Sequence, residues 1–312
     1  MYNCAYQEIP DRKLPNMLTR SYRRDFLKAT TASLLAAVPA LPNAPKIKVG
    51  AHPWVYAAPL PGHDITPVLD QIFGDLSYAG VDGVELMDTA VRHADVVPRV
   101  RELSRRYSLP VIGASYQAPM WNREKHAEIV EDARAVIGRT AEVGGHTLGT
   151  SVGDARRKKT AAELDAQAEM LSKLMEICTA NGVILNLHNH IYEVLDGEYD
   201  LRGTLSRIPD AKLGPDIDWL VAAKVEPVNF IHRYGARIVY AHLRDRKADG
   251  VWPEAMGEGS IDYGPIGRAF REANFSGTLA IELAHPAGFK PTRPLRESFK
   301  LSREYVRRVM GY

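Results

Sequence analysis

From Ile47 to the C-terminus, short β-rich runs alternate with amphipathic helical stretches, and this alternation predicts an α/β protein built as a single (β/α)8 TIM barrel. Eight repeats in about 265 residues suit a closed barrel better than an open sheet. No internal repeat, low-complexity linker or block of charge divides that span into smaller domains. Strands are expected at 47–50, 84–86, 111–115, 147–152, 183–188, 212–217, 238–243 and 278–283, where β-branched and aliphatic residues run together. Helices are expected between them, among others at 66–78, 95–106, 123–143, 161–179, 227–234 and 265–273. Several end at glycine stop signals: "YAG" at 78–80, "VGG" at 143–145, "ANG" at 180–182 and "RYG" at 233–235.

Residues 1–44 do not read as barrel. The stretch "SYRRDFLKATTASLLAAVPALPNAP" runs from paired arginines through a short, mildly apolar segment to small residues, the layout of an export leader too short to span a bilayer as a helix. Ser21, Arg23, Arg24, Phe26, Leu27 and Lys28 resemble a twin-arginine signal. The expectation is a leader over 1–44 handled by the twin-arginine export machinery, a barrel over 45–312, a periplasmic or exported product, and no stable membrane anchor once the leader is removed.

Removing the leader changes the charge. Residues 1–44 hold six Lys/Arg and three Asp/Glu, a net of +3, so the whole-chain +2 becomes −1. A nearly neutral body offers no global attraction for nucleic acid or an anionic membrane. Of the two cysteines, Cys4 lies in the leader and Cys178 stands alone, so no disulfide framework forms within the body and its stability must come from the core.

A closed parallel barrel places reactive groups at the C-terminal ends of its strands and in the loops that follow. His146, just before its strand, falls on the opposite face, and His93, His126 and His232 are assigned to helices. His52, Glu85, Tyr116, His188, His190, Asp216, His242 and Glu282 fall at strand ends. "LHNH" sets His188 and His190 on one strand face, "DID" does the same for Asp216 and Asp218, and "HLR" for His242 and Arg244. Glu282 is embedded in the apolar "LAIELA", where a carboxylate is costly unless a positive charge compensates it. One divalent cation held by His188, Asp216, His242 and Glu282 would compensate all of these groups. Its mixed oxygen and nitrogen shell suits Mn, Co, Zn or Fe. A buried ion-pair network without a metal is the alternative.

These residues also carry a resemblance. "LHNHIYE", "DIDW", "AHLRD", "MGEGSIDY" and "IELAHP", with a weaker "GVDGVEL" at 80–86, resemble the motifs of the xylose isomerase-like TIM barrels, the sugar phosphate isomerases/epimerases related to inosose dehydratases and endonuclease IV. The resemblance covers roughly 47–310. It implies a divalent metal, Mn first, with Co, Zn, Mg or Fe also compatible, held at the four positions named above. It also implies that Glu282 doubles as a base. Two departures stand out: His188 replaces the glutamate of many ketose epimerases in this family, and Arg244 replaces the commoner lysine. The first weakens a two-glutamate mechanism and brings the chain nearer the inosose dehydratases; the second offers a fork suited to two oxygens of one substrate.

The expected catalytic groups are Glu282, with His190 or Glu85 as the second proton-transfer group. His190 also reads as a supporting core histidine, and Glu85 as a partner of a nearby base. His52, Trp54, Tyr116, Trp219 and Arg244 are expected to touch substrate, although the three aromatics would equally cap the core. Glu258 and His285 are lesser candidates. The chemistry expected is isomerisation or epimerisation of a small sugar-like carbonyl compound through an enediolate. A keto-sugar or inosose dehydratase/hydratase comes second and a non-catalytic exported sugar-binding protein third. An abasic-site endonuclease is opposed by the near-neutral charge, the leader and the shortage of ligands for several zinc ions.

Overall fold

The computed structural model describes residues 47–286 and 288–312, so the leader assigned to 1–44 lies outside the described residues. The eight expected strands are present as β1 (Lys48–His52), β2 (Val84–Met87), β3 (Val111–Gln117), β4 (Thr147–Ser151), β5 (Ile184–Leu187), β6 (Lys212–Leu213), β7 (Tyr240–Leu243) and β8 (Thr278–Glu282). They pair in parallel in the order β6-β5-β4-β3-β2-β1-β8-β7. Isolated bridges Leu213↔Ile238 and Asp216↔His242 bring β6 to β7 and close the barrel.

Each strand is followed by helix: α1 (Leu69–Ala79), α2 (Val96–Arg106), α3 (His126–Glu142), α4 (Ala161–Ala180), α5 (Ile191–Arg207), the pair α6 (Ile217–Ala222) and α7 (Pro227–Tyr234), α8 (Tyr263–Glu272) and α9 (Leu295–Met310). Apolar side chains at helical spacing make the main core between sheet and helices. On α1, Leu69, Ile72, Phe73 and Leu76 are wholly buried. Truncating one of the larger of these, as in Phe73→Ala, should cost about 3–5 kcal/mol. Termini follow local chemistry: Thr160 and Glu163 cap α4 reciprocally, and Gly80, at φ 71°, ends α1 in the left-handed region. No helix among the described residues is long and apolar enough to cross a membrane.

Two expectations need correction, and one further feature has no counterpart in the sequence signals. β6 stops at Leu213 instead of running to 217, because Pro215 has no N–H for the ladder and Asp216 caps α6, its carboxylate accepting from Asp218 N and Trp219 N. Gly235 does not end its helix in the left-handed region; at φ −50° it opens a short 3-10 turn, Gly235–Arg237. α5 is bent by three consecutive left-handed residues, Asp196, Gly197 and Glu198, at φ 52°, 69° and 65°. Glu198 is held there by Arg233 (2.8 Å) and the Tyr234 hydroxyl (2.8 Å).

Candidate metal and active site

Strand polarity gathers the ends of β1, β5, β7 and β8 and the start of α6 at one mouth. Side chains two apart share a strand face, so Tyr240 and His242 both turn inward and meet Glu85 from β2. The Glu85 carboxylate accepts from Tyr240 Oη (2.9 Å) and contacts His242 Nε2 at 2.6 Å. Gly149 lies beside it, where a Cβ would stand 3.3 Å from Glu85 Oε1, so glycine leaves the carboxylate room. One donor atom each from His188, Asp216 and His242 lies within 4.8 Å of the others, the grouping of metal-ligand type found among the described residues.

Glu282 stands next to that triad rather than in it. Its Oε2 is 3.1 Å from His242 Nδ1, and its Oε1 is 2.7 Å from Arg244 Nη2. The same Arg244 nitrogen donates to Asp216 Oδ2 at 2.7 Å, so one guanidinium bridges both carboxylates. Arg244 and Arg246 each lie over Trp219 and Trp252, at 5.4–5.6 Å from the ring centres. Arg246 grips Asp218 through two nitrogens (2.6 and 2.7 Å), and Trp252 Nε1 donates to the same carboxylate. Asp218 is thereby committed to Arg246.

Burial alone would raise Glu282, but Arg244, His52 and His242 outweigh it and hold the carboxyl down at about 2. For Asp216 burial wins over Arg244, lifting it to about 6. Burial opposes the imidazolium of His242, yet Glu85 and Glu282 raise it to about 9. His188 is driven well below its ordinary value by burial and by His242, and His190 falls to about 4, chiefly through burial.

These residues fit a divalent cation. Nδ1 of His188 is buried without a hydrogen-bond partner, and Nδ1 of His242 makes no hydrogen bond and faces only the carboxylate of Glu282 at 3.1 Å. Glu85 engages the other nitrogen of His242, the arrangement that aims an imidazole at a metal. Charge agrees: the carboxylates of Glu85, Asp216 and Glu282 outnumber the single fixed cation Arg244 by two, which one divalent ion would balance.

His190 caps α5. Its backbone N–H donates to Glu193 Oε2 at 2.6 Å, and its Nδ1 is 3.0 Å from Ser151 Oγ. Ser151 Oγ also meets Tyr192 Oη and Glu193 Oε1, each at 2.7 Å. Burial pushes the Glu193 carboxyl up to about 8, against its bonds from Ser151 and the His190 and Val152 backbone.

A family model described as "Xylose isomerase-like TIM barrel" matches residues 73–305. The chain belongs to the xylose isomerase-like TIM barrel family. An inosose dehydratase from Clostridium botulinum (strain Alaska E43) is 23% identical over 299 residues, 85% of this chain and 98% of the relative. Among solved structures, an L-ribulose 3-epimerase superposes with TM-score 0.69 at 18% identity, covering 85% of this chain and 95% of the other. A sugar phosphate isomerase/epimerase from Parabacteroides distasonis gives TM-score 0.66 at 17% identity, covering 86% and 96%. At these identities the solved structures establish the shared fold.

Within this xylose isomerase-like barrel the sequence candidates separate. His52 reaches the mouth: its Nε2 is 2.9 Å from Ser115 Oγ, its Nδ1 accepts from Trp54 N at 3.2 Å, and it lies 3.8 Å from Glu282. Trp219, 6.0 Å from the His190 ring, also belongs here. Trp54 is half-buried against the core and faces His63, ring centres 4.9 Å apart. Glu85 lies as deep as Asp216 and His242, its carboxylate bonded to Tyr240 and set against His242. Tyr116 is a correction. Ser115 takes the inward face, so Tyr116 points outward to α3, where its hydroxyl donates to Asp132 (3.0 Å). Glu258 pairs with Arg293, and His285 packs on Phe289. His146 sits at the start of β4, while His93, His126 and His232 engage Asp64, Met120 O and Glu272.

Sequence reasoning passed over several supports. Asn189 exchanges bonds with the backbone of Asp216, accepting at 3.2 Å and donating at 3.5 Å, and so ties the loop after β5 to the cap of α6. Asp245 gathers the backbone N–H groups of Arg246, Gly257, Gly259 and Ile261, folding the "MGEGSIDY" loop around itself. Both lie inside quoted motifs. Ser151 and Tyr240 carried no comparable signal.

Proposed function

We propose that this chain is a divalent-metal-dependent isomerase or epimerase of a small polyhydroxy ketone or aldehyde. The observation that carries the reading is the convergence of His188, Asp216 and His242 donor atoms within 4.8 Å at the barrel mouth, with Glu282 3.1 Å from His242. The cation, Mn first, supplies a Lewis acid that makes the C–H next to a substrate carbonyl more acidic. The chain's own residues do the rest. Arg244 offers its fork to substrate oxygens, and in turning to them it releases Glu282, whose basicity rises as the paired charge leaves. Glu282 then takes the carbon-bound proton. His190, kept neutral by burial, is the second proton-transfer group. Trp219 lends an apolar face to the sugar skeleton.

Metal-loaded protein in D2O should exchange the α-proton of a keto-sugar from a panel of free and phosphorylated ketoses. Absence of exchange across the panel, with the metal bound, would reduce the chain to an exported sugar-binding protein.

Dehydration of a keto-sugar or inosose is the second reading, and His188 favours it. With the Glu85 carboxylate engaged by His242 and Tyr240, Glu282 and His190 are the groups left to act on substrate, one carboxylate and one imidazole instead of two opposed glutamates. The inosose dehydratase relatives point the same way. Loss of one water from the substrate mass separates the two readings. Export by the twin-arginine route belongs to the same proposal. Fractionation of cells carrying the full chain, with Arg23→Lys/Arg24→Lys as control, tests it: periplasmic protein that the double variant abolishes supports export.

A further inference from the structure

The hydrogen-bond inventory around Ser151 decides which nitrogen of His190 carries hydrogen. A serine hydroxyl gives one hydrogen and accepts two. Three partners surround it: His190 Nδ1 (3.0 Å), Tyr192 Oη (2.7 Å) and Glu193 Oε1 (2.7 Å). Burial raises the Tyr192 phenol far above its ordinary range, so it keeps its hydrogen. That hydrogen goes to Ser151, because the other partner of Tyr192 Oη, His190 Nδ1, is 3.5 Å away. In its ionised form Glu193 only accepts, so it takes the serine hydrogen. One serine lone pair then remains, facing His190 Nδ1, and a ring nitrogen turned to a lone pair must carry N–H. Nε2 makes no hydrogen bond among the described residues.

We propose that the Glu193 carboxylate, when ionised, acts through Ser151 as a positioning group that holds His190 in the Nδ1–H tautomer and so leaves Nε2 as the acceptor on the free edge of the ring. The backbone fixes the same geometry from the other side. His190 N–H donates to Glu193 Oε2 (2.6 Å) and Val152 N–H to Oε1 (3.2 Å), so the carboxylate cannot swing away from the serine without losing both. A free imidazole side chain prefers hydrogen on Nε2, which would present a donor instead of a base. The network inverts that preference. This rests on the reading of His190 as a proton-transfer group, but the tautomer itself is measurable without turnover.

The test is two-bond 15N–1H correlation NMR of the full chain labelled at histidine, without added metal and at pH 9, where Glu193 is ionised. His190 is assigned by the signals lost in His190→Gln. Wild type should show the Nδ1–H pattern, and Ser151→Ala should move His190 towards the Nε2–H pattern. Glu193→Gln, which can hand a hydrogen to the serine, should do the same, and Ser151→Thr should restore the wild-type pattern. In a turnover assay at the same pH the Ala and Gln variants should lose about tenfold or more in kcat with KM within about twofold. An Nε2–H pattern in wild type overturns the proposal, as does an Nδ1–H pattern unchanged by both variants. If either variant fails to fold, the wild-type spectrum together with the other variant still decides. A wild-type Nδ1–H pattern without turnover of any carbonyl substrate would sink the enzymatic reading and leave the tautomer assignment standing.

Discussion

The two halves of the barrel hold their inward polar groups in different states. In β1–β4 they are satisfied: His52 by Ser115, Glu85 by Tyr240 and His242, and Ser151 by His190, Tyr192 and Glu193. In β5–β8 and the loops after them, buried polar atoms without a hydrogen bond remain: both side-chain polar atoms of Asn186, Nδ1 of His188, Nε of Arg244, and Nδ1 of His242, which faces only the Glu282 carboxylate. Buried polar atoms without partners are costly and rare, so their concentration on one side marks the side built to receive something. The first half supplies the buttress and the second half the working face.

That division can be broken experimentally. Glu282→Gln should retain metal and fold yet lose solvent exchange by about 10³-fold or more; exchange at the wild-type rate would take the base away from the working face. His188→Ala and Asp216→Asn should each abolish stoichiometric metal uptake, read by elemental analysis, and chelation should silence the native protein until metal is restored. Glu85→Gln tests the buttress. It should weaken metal binding by about 10–100-fold through the misdirected His242 ring, and full metal affinity in this variant would show that the contact is packing alone. Tyr116→Phe should leave turnover unchanged and cost about 0.5–1.5 kcal/mol of stability through the lost bond to Asp132; a fall in kcat would return Tyr116 to the mouth.

The smallest effect lies at the far end of the barrel. Burial first, then Lys48, lowers the pKa of His146. Its folded value is therefore below its unfolded value of about 6.5, and the unfolded chain binds more protons as the pH falls. Stability contributed this way is present above about pH 6.5 and lost below it. His146→Gln should soften that acid loss slightly in denaturant titrations, with turnover untouched.

Much of this was legible in the sequence, and for stated reasons. The eight strands follow from β-rich runs bounded by glycine and from their alternation with helices. The strand-end filter then picks out His188, Asp216 and His242, because charged or imidazole side chains interrupt otherwise apolar segments. Pairings across strands were not legible. Nothing in "VEL" reveals that Glu85 lies under a histidine 157 residues later, or in "GTS" that Ser151 faces His190. Tyr116 shows the limit of the filter: position along a strand says how near the mouth a residue lies, whereas facing depends on parity, and Ser115 holds the inward slot. The bend in α5 was hidden because Glu198 adopts a left-handed conformation that its own sequence disfavours and that Arg233 and Tyr234 enforce from a distant helix.

One detail of the closure reaches beyond chemistry. Seven of the barrel's joints are laddered strand pairs, while the eighth, between β6 and β7, is stitched by two isolated bridges, one of them joining Asp216 to His242. An ion seated between those two side chains would be a clasp across the one joint made of isolated bridges, so that loading the centre and locking the cylinder become a single event.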